Sequence, residues 1–105
     1  MTELKEFDVR VSQEAQRMLD MHITFLDQVS PEAADRLIVS YAESVASLKT
    51  LPERCPWYGG EYVPRNLYRY LLFEERYALI FQVEEKAVYV DYVIDCRQDY
   101  SWLFR

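Results

Sequence analysis

The spacing of apolar and polar positions changes several times along the chain, and the changes divide it into elements. Residues 6–11 alternate, with Phe7, Val9 and Val11 set against Glu6, Asp8 and Arg10. Period two predicts a first strand with one buried face. From Ser12 to about residue 28 the apolar side recurs at Ala15, Met18, Leu19, His22, Leu26 and Val29, which is one face of a helix capped by Ser12. Ser30-Pro31-Glu32 opens a second helix with a cap, a proline in the first turn and an acid near the positive helix end. Its stripe is Ala34, Leu37, Ile38, Tyr41, Val45 and Leu48, and it runs to about residue 49. One or two residues separate the helices, so they form an antiparallel hairpin.

Residues 51–64, LPERCPWYGGEYVP, hold three prolines and both glycines of the chain, which predicts a loop. Trp57, Tyr58 and Tyr62 are candidates to pin it to the body, with an exposed binding loop as the alternative. Residues 66–100 organise the rest. Stretches 67–73, 76–83 and 87–94 are rich in Tyr, Val, Ile, Leu and Phe, as strands prefer. Two-residue turns at Glu74-Glu75 and Glu85-Lys86 make them an antiparallel meander, and a polar tail follows. The expected fold class is α+β: a short N-terminal strand, a helical hairpin, then a three-stranded meander packed on the hairpin, as one domain over residues 1–105.

Those turns fix a register. Arg69 comes opposite Ile80, Ile80 opposite Asp91, and Gln82 opposite Tyr89. Tyr68, Tyr70, Leu72, Tyr77, Leu79, Phe81, Val83, Val88, Val90, Tyr92 and Ile94 then face the helices. The other face carries Arg69, Arg76, Gln82, Tyr89, Asp91 and Asp95 among Leu67, Leu71, Phe73, Ile80 and Val93. A half-apolar open face of this kind suits a partner peptide or helix. Arg69 and Asp91 would lie about 10 Å apart at the backbone, from the strand spacing. A structural ion pair between them is therefore an alternative to any functional role.

Composition adds limits. A chain of 105 residues, 50% hydrophobic and 15% aromatic, suits one domain with a real core. No apolar run reaches the length of a membrane span, and the N-terminus lacks the apolar core of a signal peptide, so the cytoplasm is the expected location. Cys55 and Cys96 are expected to be reduced and separate, and the single histidine, His22, to sit at the edge of the core. No metal-binding spacing occurs, and no metal or other cofactor is expected. The net charge of -6 works against indiscriminate nucleic-acid binding. Nine of the twelve cations are arginine, the better residue for bidentate phosphate or carboxylate contacts.

The order of elements, together with SPEAADRL at the second helix, LP near its end, then NLYR, RYALIFQVEEKAVYVDYVID and CRQDY, resembles the RelE/ParE superfamily of toxins from type II toxin–antitoxin modules. The resemblance covers essentially the whole chain. It implies a toxin neutralised by a cognate antitoxin, in modules linked to plasmid stabilisation. RelE-like members are ribosome-dependent, metal-independent mRNA endonucleases, and that is the first functional expectation. ParE-like members inhibit DNA gyrase by binding it, and a member that keeps the fold without toxicity is a third reading. A homodimer is left open.

RNA cleavage by the adjacent 2′-hydroxyl needs a base, cations for the developing charge and an acid for the leaving oxygen. The resemblance assigns catalysis to Arg69, Arg97 and Tyr100, and substrate binding to Arg65, Arg76 and Tyr89. The chain departs from the pattern in two ways. Cys96 stands where some relatives have a histidine beside the tail arginine, and Asp91, Asp95 and Asp99 surround the site with negative charge that repels RNA.

Overall fold

The computed structural model describes residues 6–98 and 100–104. The elements are β1 (Asp8–Val11), α1 (Gln13–Val29), α2 (Pro31–Ser47), β2 (Arg69–Phe73), β3 (Tyr77–Glu84) and β4 (Ala87–Asp95), with short 3-10 turns at Pro52–Arg54 and Ser101–Phe104. Among the described residues no helix is long and apolar enough to cross a membrane.

Both helix starts form where the sequence puts them. Ser12 Oγ accepts from the Ala15 amide at 3.0 Å, and Ser30 Oγ accepts from the Ala33 amide at 3.2 Å. The Ser30 amide also donates to the Leu26 carbonyl at 2.7 Å, so one residue ends α1 and begins α2. The buried stripes are close to those expected, except that Val29 and Ile38 are 70% and 45% exposed. Val29 is the last residue of its helix. Leu37 takes the central buried position of α2, and one residue on, about 100° round the helix, Ile38 turns outward. Arg54 closes the far end of α2, its Nη1 donating to the Thr50 carbonyl at 2.7 Å and reaching the Ser47 carbonyl at 3.4 Å.

The sheet has the order β1-β4-β3-β2. β1 pairs in parallel with β4, Val9 opposite Val88, while β2, β3 and β4 form the antiparallel meander. α1 lies over β4, and α2 reaches β2. The hairpin therefore covers one face, with Phe81, Val88, Val90 and Val93 fully buried beneath it. Tyr41 meets Phe73, and His22 meets Tyr77, at ring centroid distances of 6.1 and 5.3 Å.

The register corrects the expectation in two places. The β3–β4 turn is as expected, with Gln82 opposite Tyr89. The β2–β3 connection, however, takes three residues, so Phe73 faces Tyr77 and Arg69 faces Phe81 rather than Ile80. Glu74 and Glu75 hold the left-handed backbone at φ 49° and 66°. A one-residue slip exchanges the faces of a strand. Phe73 and Leu71 thus turn to the helix side, and Tyr70 and Leu72 away from it. The second correction is a bulge. Ile80 pairs with Tyr92 but Phe81 pairs with Val90, leaving Asp91 as the extra residue and bringing Val93 and Asp95 to the helix side in place of Tyr92 and Ile94.

The face away from the helices is not open. Phe104 packs edge-on against Tyr68 and Tyr92 at 5.4 and 5.5 Å, and Tyr58 lies 6.0 Å from both Tyr70 and Phe104. Ile80, on this face, is fully buried. The tail that read as polar thus ends in an aromatic plug. The 51–64 segment is a pinned connector: the Tyr58 amide donates to the Tyr68 carbonyl at 2.7 Å, and the Tyr70 amide to the Pro56 carbonyl at 3.1 Å.

Candidate functional site

Where β4 ends, the strand, the tail and α1 leave a cavity of about 370 Å³ lined by Met18, Met21, His22, Phe25 and Tyr77, with Arg17, Asp95, Arg97, Gln98 and Tyr100 completing it. That volume lies at the low end of the range for small-ligand sites. Asp95 reaches it because the bulge set the parity of the last strand residues, pairing Asp95 with Tyr77 under α1.

Arg97 and Asp95 form a fork. Nε donates to Oδ1 at 3.1 Å and Nη2 to Oδ2 at 2.8 Å, and the Arg97 amide adds a bond to Oδ1 at 3.0 Å. The carboxylate is buried at 5% exposure while the guanidinium is 56% exposed. The Arg97 bonds hold the Asp95 carboxyl below its ordinary value, against the burial that pushes it up. The same bonds raise the Arg97 guanidinium further. Tyr100 is buried. Its hydroxyl accepts from the Asp95 amide at 3.3 Å and donates to Gln98 Oε1 at 3.2 Å, and burial raises its phenol.

His22 is half-buried, as its place at the core edge predicted. Its Nε2 lies 2.9 Å from the Val93 carbonyl, which can only accept, so Nε2 carries a proton. Cys96 is exposed, yet its thiol is pushed up by burial of the sulfur and then by Asp95, the reverse of what a nucleophilic thiolate needs. Cys55 is a separate, buried free thiol.

The remaining expected site residues lie elsewhere. Arg69 Nη1 donates to the carbonyls of Cys55 and Glu53 at 2.7 and 3.1 Å, and its guanidinium stacks 3.7 Å over the Trp57 ring. It ties the connector to the edge of β2. It sits four β3 residues from the Tyr77 row, roughly 13 Å along the strand, so Arg69 does not converge on the cavity with Arg97 and Tyr100. Nor does it meet Asp91, which accepts from Gln82 Nε2 at 2.6 Å and whose carboxyl is pushed up by burial. Arg65 is exposed on the connector. Arg76 lines a depression between the β2–β3 loop and α2, and Tyr89 another beside β1. Asp99 lies outside the described residues.

Arg17, Met21 and Phe25 belong to the cavity although the buried stripe of α1 does not contain them. Their spacing of four, beside that stripe, is the signal that sequence offers.

No family model matches the sequence, and no curated protein matches it. Among solved structures, a chain of the chromosomal ParDE TA (toxin–antitoxin) system from P. aeruginosa is similar, with a TM-score of 0.68 and 17% sequence identity. The match covers 86% of this chain and 96% of that one. The chain therefore shares the α+β fold of that ParDE chain.

Proposed function

We propose that this chain is the toxin component of a type II toxin–antitoxin module, held by a cognate antitoxin, and that it acts by binding a protein, as ParE-like toxins bind DNA gyrase, rather than by cutting RNA. The fold it shares with a ParDE chain supports the class. One observation carries the mode of action: the cations expected to hold a scissile phosphate are engaged and scattered. Arg69 is bound to two backbone carbonyls and Arg97 to a buried carboxylate. A phosphoryl site needs several cations free and convergent on one anion.

The test is induced expression with and without the neighbouring antitoxin-like reading frame, followed by a supercoiling assay on purified gyrase. Growth arrest relieved by the partner, with intact mRNA and inhibited supercoiling, is expected. Absence of any gyrase effect removes that target, and absence of arrest favours the member that has lost toxicity. The mRNA endonuclease remains a second reading because Arg97 and Tyr100 share a cavity. It requires mRNA cuts during translation that Arg97→Ala abolishes.

A further inference from the structure

The sheet has β2 at one edge and β1 at the other, and the two edges are treated differently. The outer side of β2 is covered by the connector over residues 68–70. Trp57 bridges to Arg69, the Tyr58 amide donates to the Tyr68 carbonyl, and the Tyr70 amide donates to the Pro56 carbonyl. On β1 the Asp8 amide donates to the Lys86 carbonyl and the Ser12 amide to that of Val90, both at 2.9 Å. Backbone groups of alternate residues point to opposite sides of a strand, so Val9 and Val11 turn theirs away from β4. Among the described residues no strand pairs with that side. At its start the Phe7 amide is taken by the Lys49 carbonyl at 2.8 Å. An edge left open in this way is a template for another strand.

The order of residues says which strand. Phe7-Asp8-Val9-Arg10-Val11 is its own complement when reversed. Lay a second copy antiparallel across a two-fold axis at Val9. Val9 then meets the copy's Val9, Asp8 meets the copy's Arg10, and Phe7 meets the copy's Val11, each on a shared face. Asp8 and Arg10 already pair within the chain at 2.8 Å, yet stay 62% and 65% exposed. Each gains a second opposite charge from the copy. Slipping the copy by two residues brings Asp8 onto Asp8 or Arg10 onto Arg10, and a parallel copy in register sets like charges side by side. The charges thus select one orientation and one register.

The backbone fits the same arrangement. The Val9 amide can donate to the copy's Val9 carbonyl and the Val11 amide to the copy's Phe7 carbonyl, each reciprocally, while the Phe7 amide stays on Lys49. Phe7, Val9 and Val11 are half-buried against the core, and the copies would cover one another there. The helices leave room. α1 lies over β4, so the two α1 helices stand three strand spacings apart, about 14 Å. That is wider than the roughly 8–10 Å at which helices pack.

We infer that this chain pairs with a second copy of itself through β1, forming one continuous sheet with β1 against β1 at its centre. The strand is short, so the association is weak and follows concentration. It does not depend on what the toxin acts on.

The test is sedimentation of the intact protein at rising concentration, with amide hydrogen exchange recorded by NMR. A monomer–dimer equilibrium is expected, in which the Val9 and Val11 amides exchange more slowly as the dimer fills. Asp8→Arg and Arg10→Asp each place like charges opposite one another. Both sites are exposed, so the fold is kept, and each variant should weaken the dimer about tenfold. Mixing the two variant proteins makes every opposite pair attractive again and should restore association. The double variant Asp8→Arg with Arg10→Asp should restore it as well.

A protein that stays monomeric at every concentration would overturn the proposal. So would a dimer indifferent to both single variants, a mixture that fails to associate, or slowed amides elsewhere in the chain. A monomer whose Val9 and Val11 amides are slowed only by the antitoxin would also overturn it, and would give the edge to a partner's strand.

Discussion

Arg69 decides between two accounts of the β2 edge. In the structure its Nη1 bridges the carbonyls of Cys55 and Glu53 while the guanidinium covers Trp57. Hydrogen bonds from a charged donor contribute about 1.5–3 kcal/mol each when sheltered and less at the surface. The Glu53 bond is exposed and the Cys55 bond half-buried, so the pair is worth about 2 kcal/mol. Stacking on Trp57 adds about 0.5–1 kcal/mol. Arg69→Ala should then cost about 2–3 kcal/mol, which for a domain of this size lowers Tm by roughly 10 °C. Arg69→Lys keeps the charge but has no planar face for Trp57, and should recover less than half of the loss. Calorimetry on the three proteins, with growth arrest measured at a temperature where all are folded, gives both readouts. An Arg69→Ala protein with unchanged Tm and abolished toxicity, restored by Lys, would refute the structural role and return Arg69 to phosphate binding.

Burial pushes the Asp91 carboxyl up, and a carboxyl pushed up by folding destabilises the fold above its folded pKa and not below its unfolded one, near 3.9. Asp91→Asn, whose carbonyl can still accept from Gln82, should raise Tm at pH 7, with the gain vanishing toward pH 4. Asp95 has the opposite sign. Its carboxyl is held down by Arg97, so its contribution is present above about pH 3.9 and is lost as pH falls through the lower folded value. A chemical-denaturation series from pH 7 to 2 should show this loss in the wild type and not in Asp95→Asn. With a disulfide reagent at neutral pH, one thiol, Cys96, should react slowly and the second, Cys55, only after unfolding. Two fast thiols in the native protein would contradict the burial of Cys55.

The helical half was legible because its signals are local. Ser12 and Ser30 cap where a serine before an apolar period should, and Ala15, Leu19 and Leu37 fall on the buried stripes. The sheet was legible as strands but not as faces. Nothing in Phe73-Glu74-Glu75-Arg76 announces a three-residue loop, since the left-handed positions are filled by glutamates where glycine or asparagine would have signalled them. The bulge at Asp91 is equally silent, because both neighbours are good strand formers. Each is a shift of one residue, yet together they moved Arg69 out of its supposed row and put Asp95 under α1. The site residues were thus visible as types, while their grouping depended on two backbone details that periodicity does not encode. Phe104 lay beyond any period, and only the packed structure shows it closing the second face.

The parallel pairing of β1 with β4 also governs the order of assembly. The backbone of β1 pairs far along the chain. The Asp8 amide finds the Lys86 carbonyl, and the Ser12 amide that of Val90. β1 is made before β4, and on the ribosome its edge stays unpaired until β4 has emerged. Helix hairpin and meander can form from neighbouring contacts, while closing the long loop to β1 is the slow entropic step. Truncation before β4 therefore leaves a fragment with an unmatched strand, exposed to aggregation and proteolysis, rather than a smaller version of the domain.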